Sequence, residues 1–220
     1  MGAFGGPDII TDGLVFAVDA GSTRSYAGSG TTAYNLVANN DVSLINGLGW
    51  QSGNGGYFSS DGTDDGMTTP DATNLDLVDF TLEGWVWWDQ HKDYGSFLVK
   101  GPGGSGGLFN YSFFGYATTV SFGFGDGTNY RKIDISAPAT GEWHHIVGTY
   151  DGSTLKFYLN NTLTSSTSLT ATPNQNNNAL NILQSNYSID GRIGCAKVYN
   201  KALTAAEVLQ NYNAQKNRFI

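Results

Sequence analysis

Apolar and polar positions alternate through most of this chain with a period of two, the spacing of side chains on opposite faces of a β-strand. The clearest run is DFTLEGWVWWDQ, where Phe80, Leu82, Val86 and Trp88 fall on one face and Thr81, Glu83, Trp85 and Trp87 on the other. That run predicts a central strand. In GLVFAVDA both faces are apolar, Leu14, Phe16 and Val18 alternating with Val15 and Ala17, so this strand is expected to be covered on both sides. VSLI, GGYFSS, SFLVK, GLFNYSFFGY, TTVSFGF, YRKIDI, WHHIVGTY, TLKFYLN, LNILQS and GRIGCAKVYN supply further strands, separated by turns such as GPGGSGG and GDGTN. Asp151-Gly152 predicts a two-residue hairpin. Between Gly21 and Asn40 the chain is rich in Ser, Thr, Gly and Asn, a surface excursion that Tyr26, Tyr34 and Leu36 are expected to anchor.

The period changes once. Thr204 to Glu207 reads T-x-x-E, a capping box, and Val208, Leu209 and Tyr212 form the apolar stripe of a short helix. Such a helix is expected to cover a sheet edge or one end of the fold. Together these elements predict an all-β jelly-roll sandwich of two antiparallel sheets with one short C-terminal helix. Residues 12–220 form its single domain, and residues 1–11 a Gly-rich arm that is mobile or docked onto a partner.

Composition narrows the function classes. Eleven basic against nineteen acidic residues give a net charge of -8, and the absence of a basic run argues against nucleic-acid binding. No apolar run is long enough to span a membrane. The lone Cys195 excludes an intrachain disulfide and reads as a small buried apolar residue. The start, MGAFGGPDIITDG, has neither the basic n-region nor the apolar run of a signal peptide, so the expectation is a chain made in the cytoplasm.

FTLEGWVWW, then GEWHHIVGTYDGSTLKFYLNN, then GRIGCAKVYNKALTAAEVLQNY resemble, in order and spacing, the laminin-G-like members of the concanavalin A-like lectin/glucanase superfamily. SSDGTDDGM is similar to that family's loop after an early strand. The resemblance covers residues 12 to 219 and implies a jelly roll with the last helix packed beside it. DGLVFAVDAGSTRSYAGSG and LTAAEVLQNYNAQKNRF look like the stand-alone members found among tailed bacteriophages as virion components. Two positions depart from the family pattern. Gly194 follows Ile193 where many relatives carry an acidic residue, and Asn160-Asn161 replaces the frequent Asn-Gly, a change that Asn's tolerance of left-handed backbone allows.

Candidate chemistry is sparse. His144 and His145 are neighbours in a strand, so they face opposite ways and cannot share a metal. One is expected to be partly buried and hydrogen-bonded, the other at a surface or sheet edge. A glycoside hydrolase needs two carboxyl groups flanking the scissile bond, and Glu83 stands alone in its strand, so no catalytic residue is assigned and a non-enzyme is expected. Asp61 and Asp64, with Asp65 beside them in DGTDDG, are the candidate oxygen ligands for Ca²⁺. Trp50, Tyr57, Trp87, Tyr94, Tyr111 and Tyr116 are candidates for stacking on sugar rings, a site expected in the loops at one rim. The leading expectation is a non-enzymatic virion protein decorating a capsid or tail, its partners being other virion proteins or sister subunits. The alternative is a lectin for cell-surface glycans, with or without Ca²⁺, and a glycoside hydrolase ranks last.

Overall fold

The computed structural model describes residues 7–102 and 106–220. The first six residues of the arm, and residues 103–105 of the GPGGSGG turn, lie outside the described residues. In chain order the strands are β1 (Leu14–Asp19), β2 (Thr32–Ala33), β3 (Val42–Ile45), β4 (Gly49–Gln51), β5 (Tyr57–Asp61), β6 (Gly66–Thr69), β7 (Phe80–Gln90), β8 (Gly95–Lys100), β9 (Tyr111–Gly115), β10 (Thr119–Gly125), β11 (Tyr130–Ser136), β12 (Trp143–Tyr150), β13 (Thr154–Leu159), β14 (Thr162–Ser168), β15 (Leu180–Leu183) and β16 (Asp190–Tyr199). Helix α1 (Ala205–Phe219) follows. One eight-stranded sheet runs β14-β13-β12-β7-β16-β5-β4, with β1 also paired to β16, and a second runs β11-β10-β9-β8-β15-β6-β3-β2. The two antiparallel sheets form the expected jelly-roll sandwich.

The alternation in β7 decides what fills the space between the sheets. Phe80, Leu82, Val86 and Trp88 point inward and share one core with Phe97, Phe113, Phe122 and Phe124 of the second sheet. Each ring removed from water stabilises the fold by about 1.5–3 kcal/mol. The rings reach across the mid-plane because glycine stands opposite them. A Cβ on Gly84 would lie 2.2 Å from the Phe97 ring, and one on Gly148 at the same distance from Phe122.

Helix α1 lies flat on the outer face of the first sheet, rather than over an edge or an end. Phe219 and Tyr212 stack on the Trp85 ring at 4.6 and 5.7 Å, and Val208 packs with Val147, Tyr199 and Leu203. The capping box forms as expected, Thr204 and Glu207 each serving the other's backbone N–H. Leu209 of the expected stripe is exposed, because the helix instead turns Asn211 inward to meet Glu83. The seating also explains Gly194, where a Cβ would come within 2.3 Å of the Phe219 ring. No larger side chain fits at position 194 beneath this helix.

Three further expectations need correction. The described part of the arm docks onto the chain's own helix rather than moving freely or waiting for a partner. Ile10 N–H donates to Asn211 at 2.7 Å, Gln210 donates to the Asp8 carbonyl at 2.8 Å, and Tyr199 donates to the Ile10 carbonyl at 3.1 Å. These bonds satisfy backbone groups that would otherwise need water. Tyr26 is buried and Leu36 half-buried, but Tyr34 faces solvent. Asp151-Gly152 sits in a four-residue loop, since Tyr150 already pairs with Leu155. The Asp151 carboxylate accepts the N–H groups of Ser153 and Thr154 at 3.0 and 2.8 Å, which holds the longer turn. The two-residue turn is Asn160-Asn161, between paired Leu159 and Thr162, with both asparagines left-handed at φ 49° and 67°.

Candidate functional site: an aromatic groove on the open sheet

The histidine pair proves structural on both sides. His145 is fully buried beneath α1, and His144 is also buried, so neither lies at a surface as expected for one of them. His144 Nε2 lies 2.8 Å from the Ala139 carbonyl, and its ring packs near Trp88. His145 donates to Glu83 Oε1 at 3.1 Å. Glu83 also receives Lys197 Nζ at 2.7 Å and Asn211 Nδ2 at 2.6 Å, and Lys197 donates further to Gln215 at 2.7 Å. Burial alone would raise the Glu83 pKa; the Lys197 ammonium and the His145 hydrogen bond overcome it and hold the carboxyl at about 2. Burial pushes His145 below its ordinary 6.5 against the pull of Glu83, which leaves the ring neutral. The lone carboxylate is therefore an anchor for the helix, sealed from any substrate. Cys195 is buried beside this network, as expected.

Asp61, Asp64 and Asp65 do not converge. Asp61 and Asp64 are exposed, while Asp65 is buried and accepts the Asp61 N–H at 3.0 Å. The Asp61 carboxylate accepts the Thr63 N–H at 2.7 Å, and the Asp64 carbonyl accepts from Asn46 and Ser185 at 2.7 and 2.8 Å. The loop is thus stitched by its own donors. Among the described residues, no group of three His, Cys, Asp or Glu side chains is placed to hold a metal ion.

The second sheet is different on its outer face. Alternation places Ser112, Phe114 and Tyr116 outward from β9 and its turn, and Tyr130, Lys132 and Asp134 outward from β11, with Val99 and Phe109 completing an apolar floor. Among the described residues, no helix covers that floor in the way α1 covers the first sheet. It forms the base of a groove of about 370 Å³ lined by Tyr94, Phe109, Phe114, Tyr116, Tyr130, Gln184 and Tyr187. Phe109 and Phe114 lie 5.2 Å apart, and Tyr130 stands edge-on to both at 6.1 and 6.3 Å. Tyr94 meets Tyr116 at 5.6 Å in an edge contact.

Polar groups are few and neutral. Ser112 and Tyr130 share a hydrogen bond of 2.8 Å. Burial raises the phenols of Tyr116 and Tyr130, so both stay protonated and can donate and accept. Tyr94 and Tyr187 are 57% and 42% exposed, which leaves their rings free as walls. Tyr94 sits at φ 64°, a left-handed conformation that disfavours a bulky side chain by about 1–2 kcal/mol. The backbone holds this ring at the groove despite that cost. Chemically, such a surface can stack on C–H faces of a ligand and exchange neutral hydrogen bonds with it.

Of the six aromatic residues singled out in the sequence, the structure brings Tyr94 and Tyr116 together here. Tyr111 is in the core, where Phe80 packs on it at 5.4 Å. Trp50 packs against the core and donates to the Ala20 carbonyl at 3.0 Å. Tyr57 and Trp87 lie on the opposite sheet, with the Arg192 guanidinium over their rings at 5.3 and 4.4 Å. Phe109, Phe114, Tyr130, Gln184 and Tyr187 were not legible as site residues. The groove lies on a sheet face with loop walls rather than wholly in rim loops.

Fold and groove together define a lectin-like jelly-roll domain. The chain belongs to the concanavalin A-like lectin/glucanases superfamily, through a laminin G family model that matches residues 61–209. No curated protein sequence matches it. Among solved structures it is similar to the binding domain of Paraclostridial Mosquitocidal Protein 1, at 17% identity and TM-score 0.70 over 92% of this chain and 52% of that one. It is also similar to botulinum neurotoxin type C, whose cell entry depends on interaction with two ganglioside molecules, at 13% identity and TM-score 0.71 over 92% and 51%. A third is Trypanosoma rangeli sialidase in complex with sialic acid, at 13% identity and TM-score 0.70 over 96% and 34%. The chain spans about half the length of the first of these. At such identities the likeness is one of fold.

Proposed function

We propose that this chain is a carbohydrate-binding module whose site is the aromatic groove on the open sheet. The observation that carries the reading is an asymmetry: aromatic clusters stand on the outer faces of both sheets, and α1 seals one, whereas among the described residues no helix covers the other and its walls Tyr94 and Tyr187 stay exposed. Six aromatic rings line the groove, and four of them, Tyr94, Tyr116, Tyr130 and Tyr187, keep part of their surface in solvent, which favours a ligand as their occupant. Binding domains among the similar structures, and one holding sialic acid, support the class of ligand.

Binding without turnover is part of the proposal. Hydrolysis of a glycosidic bond needs two carboxyl groups about 5–9.5 Å apart, and the seven residues lining the groove include none. Display on a bacteriophage capsid or tail is the setting that the terminal segments suggest, and antibody labelling of purified virions tests it; an unlabelled particle removes it.

A glycan array with and without EDTA tests the binding. The expected outcome is binding in both conditions, weakened about tenfold by Tyr116→Ala. Loss of binding in EDTA that Asp61→Ala and Asp64→Ala reproduce would instead move the site to the acidic loop and establish a Ca²⁺ requirement. No binding to any glycan would overturn the reading.

A further inference from the structure

Resting on the groove as the glycan site, we propose that it takes an uncharged pyranose sugar with equatorial hydroxyls and rejects carboxylated sugars. The argument is one of missing countercharge. The lining holds aromatic rings and one amide, Gln184, and no cationic side chain. The Lys132 ammonium lies 5.3 Å from the Tyr116 ring centroid, but both oxygens of Asp134 already hold it at 3.0 Å. Arg131 is tied to Asp126 at 2.6 Å. Lys92, whose backbone approaches Gly115 at the end of β9, donates its ammonium to the Gly62 carbonyl.

On the acidic side, Asp93 sits between Lys92 and Tyr94 and accepts the Ala117 N–H at 3.0 Å, which ties it to the turn after Tyr116. Lys132, Arg131 and Lys92 are thus each already engaged, and at least two carboxylates, Asp93 and Asp134, stand at the groove's margin. The residues of the chain outside the described set carry no charged side chain. A carboxylate entering the groove would lose water and gain only neutral donors, with no cation to balance its charge, a penalty that ordinarily amounts to several kcal/mol. A neutral pyranose meets no such penalty. When its hydroxyls are equatorial, its axial C–H groups present an apolar face above and below the ring. That shape fits a floor of Phe114 and Tyr130 flanked by the exposed walls Tyr94 and Tyr187. Gln184 and the protonated phenols supply neutral donors and acceptors for the hydroxyls.

The experiment is calorimetric titration of the whole chain with cellotetraose, chitotetraose, and cellotetraose oxidised at C6 to the carboxylate. Binding of at least one neutral probe, with the oxidised form at least about tenfold weaker than its parent, is the expected result. The deficit should persist in high salt, because it arises from desolvation inside the groove rather than from the overall charge of -8. Gln184→Arg should narrow it by supplying the missing cation. Equal affinity for the oxidised and neutral probes, or a deficit abolished by salt, overturns the inference while leaving glycan binding intact. If these probes fail but a sialylated glycan binds, and Tyr116→Ala weakens that binding, the site stands and the neutral-ligand inference falls. Absence of binding by every one of these glycans overturns the underlying reading and the inference with it.

Discussion

Glu83 is a carboxylate in a superfamily that includes glucanases, yet its surroundings give it another role. Its two oxygens take Lys197, His145 and Asn211, and its side chain is fully buried. Replacing Lys197 with Met leaves that charge unpaired and should destabilise the fold by about 3–5 kcal/mol in chemical denaturation, with Glu83→Gln in the same chain restoring a large share. The network also sets a pH dependence. Glu83 titrates at about 2 when folded against an ordinary 4.5, so its contribution is complete above 4.5 and is lost as pH falls from there towards 2. His145, held below its ordinary 6.5, likewise contributes fully above 6.5 and less as pH drops beneath it. Melting temperature should therefore fall from neutral to acid in two stages, and His145→Asn should remove the upper one. Strand periodicity alone showed that the two histidines could not share a metal. It could not show that both are buried, because that depends on where α1 lands and on the loop that brings Ala139 to His144.

Most strands were legible because turns and alternation agree, and the helix because its capping box is local; β2, β4 and β6 escaped because they are short, and β14 because TLTSSTS is polar on both faces. What escaped was which outer face stays open. β7 and β9 read alike in sequence, both carrying aromatics on their two faces, but the outward Trp85 of β7 is roofed by Phe219 and Tyr212 of the helix while the outward Phe114 of β9 packs under its neighbours Phe109 and Tyr130. Periodicity assigns residues to faces and leaves the cover of each face to tertiary structure. Gly194 records that cover directly. Gly194→Glu should clash with the Phe219 ring, lower stability by about 1–3 kcal/mol and speed amide exchange through α1. At Tyr94 the opposite trade is expected. Tyr94→Gly relieves the left-handed strain, so the melting temperature should hold or rise while glycan affinity drops. A fall in both would mean that Tyr94 is part of the packing rather than of the site.

The molecule as a whole is a sandwich finished on one side. The core between the sheets is continuous, the face under α1 is closed by the helix and by Asp8 and Ile10 of the arm, and the remaining face presents a ring-lined groove in a chain of net charge -8. The fold class, the helix and two of the groove's walls, Tyr94 and Tyr116, could be read from the sequence. Phe109, Phe114, Tyr130 and Tyr187 could not, since an aromatic residue in a β-sandwich looks the same in sequence whether it faces the space between the sheets or an outer face. The claim most exposed to test is that the groove is where ligand binds. Backbone amide shifts should be followed while a soluble β-glucan oligosaccharide is titrated into the whole chain. Saturable shifts confined to the segments around Tyr94, Phe109–Tyr116, Tyr130 and Gln184–Tyr187 are predicted. Shifts centred instead on the Asp61–Asp65 loop, or on the outer face of the first sheet around Tyr57 and Trp87, would contradict it.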